Sequence, residues 1–97
     1  MFHVRTIMIH RVNGRELDKA ISEASGHEFE MTHEYVQSDD DSMSLERDID
    51  PDEYAQAEWE TFCESGDAGN PCTIIEAYLT KLCYEGKIPA GSYHIEW

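Results

Sequence analysis

Carboxylates are the most abundant chemically capable side chains in this 97-residue chain, which has twenty-one Asp and Glu, five histidines and three cysteines. Paired carboxylates perform general acid–base work only where burial or a neighbour drives their pKa values apart. Here the acids fall on the sides of the predicted elements that face away from the apolar residues. The histidines (His3, His10, His27, His33, His94) recur at no fixed spacing. His33 falls on an apolar strand face, where a hydrogen-bonded core histidine is the expectation. Nothing local supports a Cys–His nucleophile pair, and no glycine loop is placed to cradle a phosphate. Metal chemistry fares no better. Asp48, Asp50 and Asp52 match the first positions of a calcium loop, but Glu53 stands where the turn glycine is required and Trp59 where the closing bidentate Glu is required. Cys63, Cys72 and Cys83 form no C-x-x-C pair for zinc. An odd, unpatterned set reads as reduced cytosolic thiols, with Cys63 and Cys83 acting as small hydrophobes on helical faces. No catalytic, cofactor-binding or metal-binding residue is expected, and the chain does not read as an enzyme.

The elements that carry these residues follow from hydrophobic period. Residues 2–11 are rich in β-branched and aromatic types and predict a strand. Asn13-Gly14 predicts a turn. Leu17, Ala20, Ile21 and Ala24 then fall on one helical face, with Gly26 as its stop. From His27 to Gln37 the pattern alternates, with Phe29, Met31, His33 and Tyr35 on one side and Glu28, Glu30, Thr32 and Glu34 on the other. That predicts a half-buried strand with an acidic outer face. Residues 38–48 are polar, lack a period and predict a loop. Asp50-Pro51 predicts a helix start, with Glu53 placed to close a capping box. That helix turns Ala55, Trp59 and Phe62 inward, and Glu53, Glu60, Glu64 and Asp67 outward. Gly66 and Gly69 end it. Asn70-Pro71 opens a last, strongly apolar helix carrying Ile74, Ile75, Tyr78, Leu79 and Leu82, with Gly86 as its stop. Tyr93, Ile95 and Trp97 alternate as a final strand. The expected fold is α+β, in the order β-α-β-α-α-β, with three strands and three helices packed against them in a single domain spanning 1–97.

The distribution of charge is more telling than its total. Residues 28–67 hold fifteen acids and one base, Arg47, and so carry the whole net charge of −14. The other fifty-seven residues hold six acids and six bases. Concentrated like charge repels itself and destabilises the compact state, so solubility alone does not account for it. A net charge of −14 argues against direct binding to nucleic acid or an anionic membrane and for a cationic protein partner. The candidate partner-binding residues are Glu28, Glu30, Glu34, Asp39, Asp40, Asp41, Glu46, Asp48, Asp52, Glu53, Glu60, Glu64 and Asp67. Same-face acids two apart on a strand sit about 6.7 Å apart, near two phosphate steps of one DNA strand at about 3.4 Å each. Glu60 and Glu64 sit about 6 Å apart along a helix axis. These spacings are generic to secondary structure, so the segregation of charge weighs more than they do. No apolar run approaches the roughly eighteen residues of a membrane span, and no secretory signal pattern is visible.

In size, acidity, mixed α+β reading and lack of a catalytic motif, the whole chain resembles the small DNA-mimic inhibitors that phages make against bacterial defences. Within that group it is most similar to the type I-F anti-CRISPR proteins. No short motif carries the likeness. The resemblance implies a phage or prophage origin, no cofactor, and a stoichiometric inhibitor in the bacterial cytoplasm. Its partner would be the basic DNA-binding surface of the type I-F CRISPR surveillance complex. Two other readings share the acidity. One is an immunity protein, antitoxin or antirestriction inhibitor directed at another DNA-binding enzyme. The other is an acidic adaptor whose charge serves mostly for solvation.

Overall fold

The shape of the molecule follows from where its apolar side chains can meet. The computed structural model describes residues 9–30, 44–67 and 69–96. Within them the order is β1 (Ile9–Asn13), α1 (Gly14–Ser25), β2 (Ser44–Ile49), a single 3-10 turn (Pro51–Glu53), α2 (Gln56–Ser65), α3 (Pro71–Tyr84) and β3 (Gly91–Glu96). The fold is therefore α+β, with a three-stranded mixed sheet and three helices among the described residues. The last strand lies in the centre, in the order β1-β3-β2. It runs parallel to β1, with His10 opposite Tyr93, and antiparallel to β2, with Arg47 opposite Tyr93 and Ile49 opposite Gly91.

One cluster of buried side chains joins the layers. Leu17 and Ile21 come from α1, Trp59 and Phe62 from α2, and Ile74, Ile75, Tyr78, Leu79 and Cys83 from α3; Ile49, Tyr93 and Ile95 come from the sheet. α3 also packs against α2, the 3-10 turn and β2. Trp59 is only 5 % exposed and Phe62 1 %, so two of the three inward positions read from the period are core; the third, Ala55, precedes the helix and is half-buried. Tyr93 lies in the middle of the sheet. His10 stacks on its ring at 4.9 Å, and its hydroxyl donates to the Pro89 carbonyl. Burial, with a smaller contribution from Cys83, pushes the Tyr93 phenol above its ordinary range.

Several boundaries differ from the sequence expectation. Asn13-Gly14 is a cap, not a separate turn. The Asn13 carboxamide oxygen accepts from the N–H groups of Arg15 and Glu16 at 2.9 and 3.2 Å, so strand passes directly into helix. The first strand occupies 9–13, and its expected start at residues 2–8 lies outside the described residues. Only residues 27–30 of the expected second strand are described, and they run as a bend and coil; Ser44–Ile49, all but its last residue inside the stretch read as loop, form β2. The period of two was present there, but Arg47 stands between Leu45 and Ile49 and breaks the apolar alternation on which strand recognition depends. Met31, His33, Tyr35 and the rest of the expected strand lie outside the described residues, as does Trp97.

The Asp50-Pro51 signal produces one 3-10 turn rather than the start of α2. Asp50 accepts from the Asp52 N–H at 2.9 Å, and Glu53 donates its N–H back to the Asp50 carbonyl at 3.0 Å. The Glu53 carboxylate closes no capping box among the described residues. Tyr54 then turns extended, with φ −65° and ψ 111°, and its ring lies flat on Tyr84 at 4.5 Å. α2 restarts at Gln56 without a side-chain cap.

Candidate functional site

Phe29 is the anchor that presents the first pair of acids. The hydroxyl of Ser22, on the last turn of α1, accepts from the Phe29 N–H at 2.9 Å and lies 3.2 Å from the Phe29 carbonyl. The Phe29 ring is 5 % exposed and meets Phe62 edge-on at 5.8 Å. With the ring held inward, Glu28 and Glu30 on either side of it are exposed. The in-and-out alternation read from the sequence thus survives at 28–30 without a strand, so the strand-based spacing of Glu28 and Glu30 does not apply.

His27 carries this segment across to α2. Its Nε2–H donates to the Cys63 carbonyl at 2.9 Å. Gly66, which ends α2 at φ +72°, leaves room for the ring: a Cβ there would come within 2.9 Å of His27 Nδ1. Glu28 is thereby held one residue from a contact with the C-terminal end of α2, where Glu64 and Asp67 are exposed. Gly66→Ala places a side chain in the left-handed region and against that ring, and each effect opposes folding. The expected loss is about 2 kcal/mol, read as a lower urea midpoint at unchanged slope. An unchanged midpoint would show that the His27–Gly66 contact does not exist in solution.

The other candidates fall into place as follows. Glu60 and Glu64 share the outer side of α2 and are exposed. Glu53 and Asp67 do not share that helix face as expected, because Glu53 belongs to the 3-10 turn and Asp67 lies beyond Gly66. Asp48 is exposed on the edge strand β2 and accepts from the Ser92 hydroxyl. Asp52 and Glu53 are exposed on the turn that follows. Glu46 lies in β2 paired with His94. Glu34, Asp39, Asp40 and Asp41 lie outside the described residues. Tertiary structure therefore gathers two groups, Glu28, Glu30, Glu64 and Asp67 around the end of α2, and Asp48, Asp52 and Glu53 at the β2 corner.

Two acids of the segment have roles that charge density alone did not reveal. Asp50 is a cap, as its place before Pro51 indicated, and its charge contributes, after burial, to raising the Cys83 thiol pKa. Glu58 lines a cleft of about 310 Å³ with Ala57, Thr61, Asp67, Gly69, Thr73 and Ile74. No spacing rule singles out Glu58, because the cleft forms only when α3 is set beside α2.

Three of the cations pair with acids outside the segment. Arg11 pairs with Glu96 at 3.1 Å. Lys81 and Lys87 both pair with Glu85 at 2.9 Å, and hydrogen bonds from Lys87 and Lys81 pull the Glu85 carboxyl below its ordinary range. Glu85 and Glu96 both lie outside the acidic segment. Among the described residues, none of the exposed carboxylates of Glu28, Glu30, Asp48, Asp50, Asp52, Glu53, Glu58, Glu60, Glu64 and Asp67 makes an ion pair. No three metal-ligating side chains converge among the described residues. Burial pushes the Cys63 and Cys83 thiols up, which keeps them protonated and poor nucleophiles at neutral pH.

An α+β domain core bearing exposed carboxylates that make no ion pair among the described residues is the class that the fold and this surface define. Comparison with protein-family models, with curated proteins and with solved structures found no match. Among the described residues no helix is long and apolar enough to cross a membrane.

Proposed function

We propose that the protein is a stoichiometric inhibitor that mimics DNA. It occupies the basic DNA-binding surface of a bacterial defence complex, with the type I-F CRISPR surveillance complex as the target, and acts in the cytoplasm where that complex works. One observation carries the reading. The ten exposed carboxylates of the acidic segment that the structure describes make no ion pair among the described residues, whereas Glu85 and Glu96 outside it are paired. Unpaired surface charge of one sign costs the free protein self-repulsion. It is retained at an advantage where a partner supplies the opposite charge. The acids reach the surface from a coil, a strand edge, a turn and a helix, so they form a three-dimensional array rather than one solvated helix face.

A phosphate mimic works by exclusion and needs no turnover. The test is a competition titration of the purified surveillance complex with this protein and a short duplex carrying the target sequence, at two salt concentrations. Mutual displacement is expected. Association should slow at the higher salt, because the Debye length falls from about 10 Å at 0.1 M to about 3 Å at 1 M. If protein and duplex bind the complex together, the mimic reading is wrong.

A further inference from the structure

We infer that the cleft between α2 and α3 is a socket for one arginine side chain of the basic partner, an inference that rests on the proposed function. The cleft holds about 310 Å³, at the lower limit of small-molecule pockets, so it suits one long side chain better than a peptide segment. Its lining combines apolar and acidic surface. Ala57 and the carbon parts of Thr61 and Thr73 supply its apolar surface, while Ile74, 2 % exposed, closes its floor from the core. The Thr61 hydroxyl is already engaged by the Ala57 carbonyl at 2.8 Å. Glu58 on α2 and Asp67 on the following loop bring the charge. The Gly69 N–H donates to Asp67 Oδ1 at 3.0 Å, which fixes that carboxylate and leaves its second oxygen for a ligand. Glu58 makes no ion pair among the described residues. Two negative groups exclude a phosphate or carboxylate ligand.

An amphipathic cation fits this lining. Arginine lays an aliphatic stem along apolar surface and carries a planar fork of donors at its end. Its guanidinium is less strongly hydrated than an ammonium and matches carboxylates in two-point geometry. DNA-binding surfaces hold arginines for phosphate contacts, so a partner displaced from DNA has such side chains to offer. Glu60 and Glu64, on the same helix but outside the cleft, lack the apolar walls and contribute only general attraction.

The experiment needs no partner. The isotope-labelled full chain is titrated with Nα-acetyl-arginine methylamide at constant ionic strength, and amide shifts are followed by NMR. The citrulline analogue, uncharged but nearly the same shape, is the control. Saturating shifts are expected at Ala57, Thr61, Gly69 and Thr73 with arginine and not with citrulline. The paired change Glu58→Gln and Asp67→Asn keeps the Gly69 hydrogen bond available and should weaken the affinity about tenfold. Glu60→Gln with Glu64→Gln should alter it less than about twofold. Equal binding of citrulline, shifts spread over all the acids, or full affinity in the Glu58/Asp67 variant would overturn the socket. The duplex competition is read separately. Displacement of duplex without arginine binding refutes the socket and leaves the mimic reading standing. Arginine binding without displacement supports the socket and refutes the mimic reading.

Discussion

Phe62→Ala is expected to cost about 3–5 kcal/mol of folding stability. The side chain is 1 % exposed. Its ring meets Phe29 edge-on at 5.8 Å, His27 at 6.0 Å and Trp59 at 6.1 Å. Truncation removes the ring from water-free surroundings and leaves a cavity that α2, tied to α3 and to His27, can only partly close. A domain of this length has a net stability of roughly 5–15 kcal/mol, so the loss takes a large share of it. Urea unfolding followed by tryptophan fluorescence and by far-UV circular dichroism measures the change. Phe62→Leu, which keeps most of the volume, should cost less than about 1.5 kcal/mol. A cost below 1 kcal/mol for the alanine variant would mean that Phe62 is not at the centre of the core. The substitution also bears on function, because Phe62 is the surface against which Phe29 and His27 hold Glu28 and Glu30.

The second large effect is on partner binding with little change in stability. Replacing Glu28, Glu30, Glu60 and Glu64 together by Gln should weaken binding to the surveillance complex by roughly fourfold to several-hundredfold at low salt. That range follows from about 0.2–1 kcal/mol for each exposed charge pair. The association rate should carry most of the change, since such charges steer the encounter more than they hold the complex. Neutralising the acids relieves self-repulsion, so the urea midpoint should stay level or rise. The same test applied to Asp39, Asp40 and Asp41 asks whether the centre of the acidic run contributes equally. Glu16→Gln with Glu23→Gln on α1 is a two-charge control outside the segment, compared with Glu28→Gln and Glu30→Gln alone. If the quadruple variant binds as the parent does, or if the α1 control weakens binding as much as that pair, the acidic segment is not the interface.

The reading of the sequence succeeded where the physics is local. The faces of α1 and α3 were legible because apolar residues at intervals of three and four must share a side of a helix, and Leu17, Ile21, Ile74, Ile75, Tyr78 and Leu79 are all buried. Asn70-Pro71 marked the start of α3 because an Asn side chain can accept from the second helical N–H and proline lacks the N–H that would otherwise go unpaired; Asn70 accepts from the Cys72 N–H at 3.0 Å. Gly26 and Gly66 marked helix ends because both sit at positive φ. The order β-α-β-α-α-β is the expected one, but its second strand was read at 27–37 and the described strand lies at Ser44–Ile49.

What no local signal carried was pairing across distance. Whether Phe29 belonged to a strand or to an anchored coil depended on Ser22 and Phe62, seven and thirty-three residues away. Whether the polar run hid a strand depended on β3, the central strand, which pairs antiparallel with Ser44–Ile49 and tolerates Arg47 beside Tyr93 because the energy of a strand lies in its neighbours as much as in its own residues. The candidate site divides along the same line. Sequence alone determined that the net negative charge lies in one segment and that its helical acids point away from the core, since charge and period are properties of the chain. Only tertiary structure decided that His27 carries Glu28 to the end of α2, that Arg11, Lys81 and Lys87 pair with acids outside the segment, and that Glu58 and Asp67 face one cleft. Each of these depends on the free energy of contacts between residues distant in sequence, which a linear pattern does not encode.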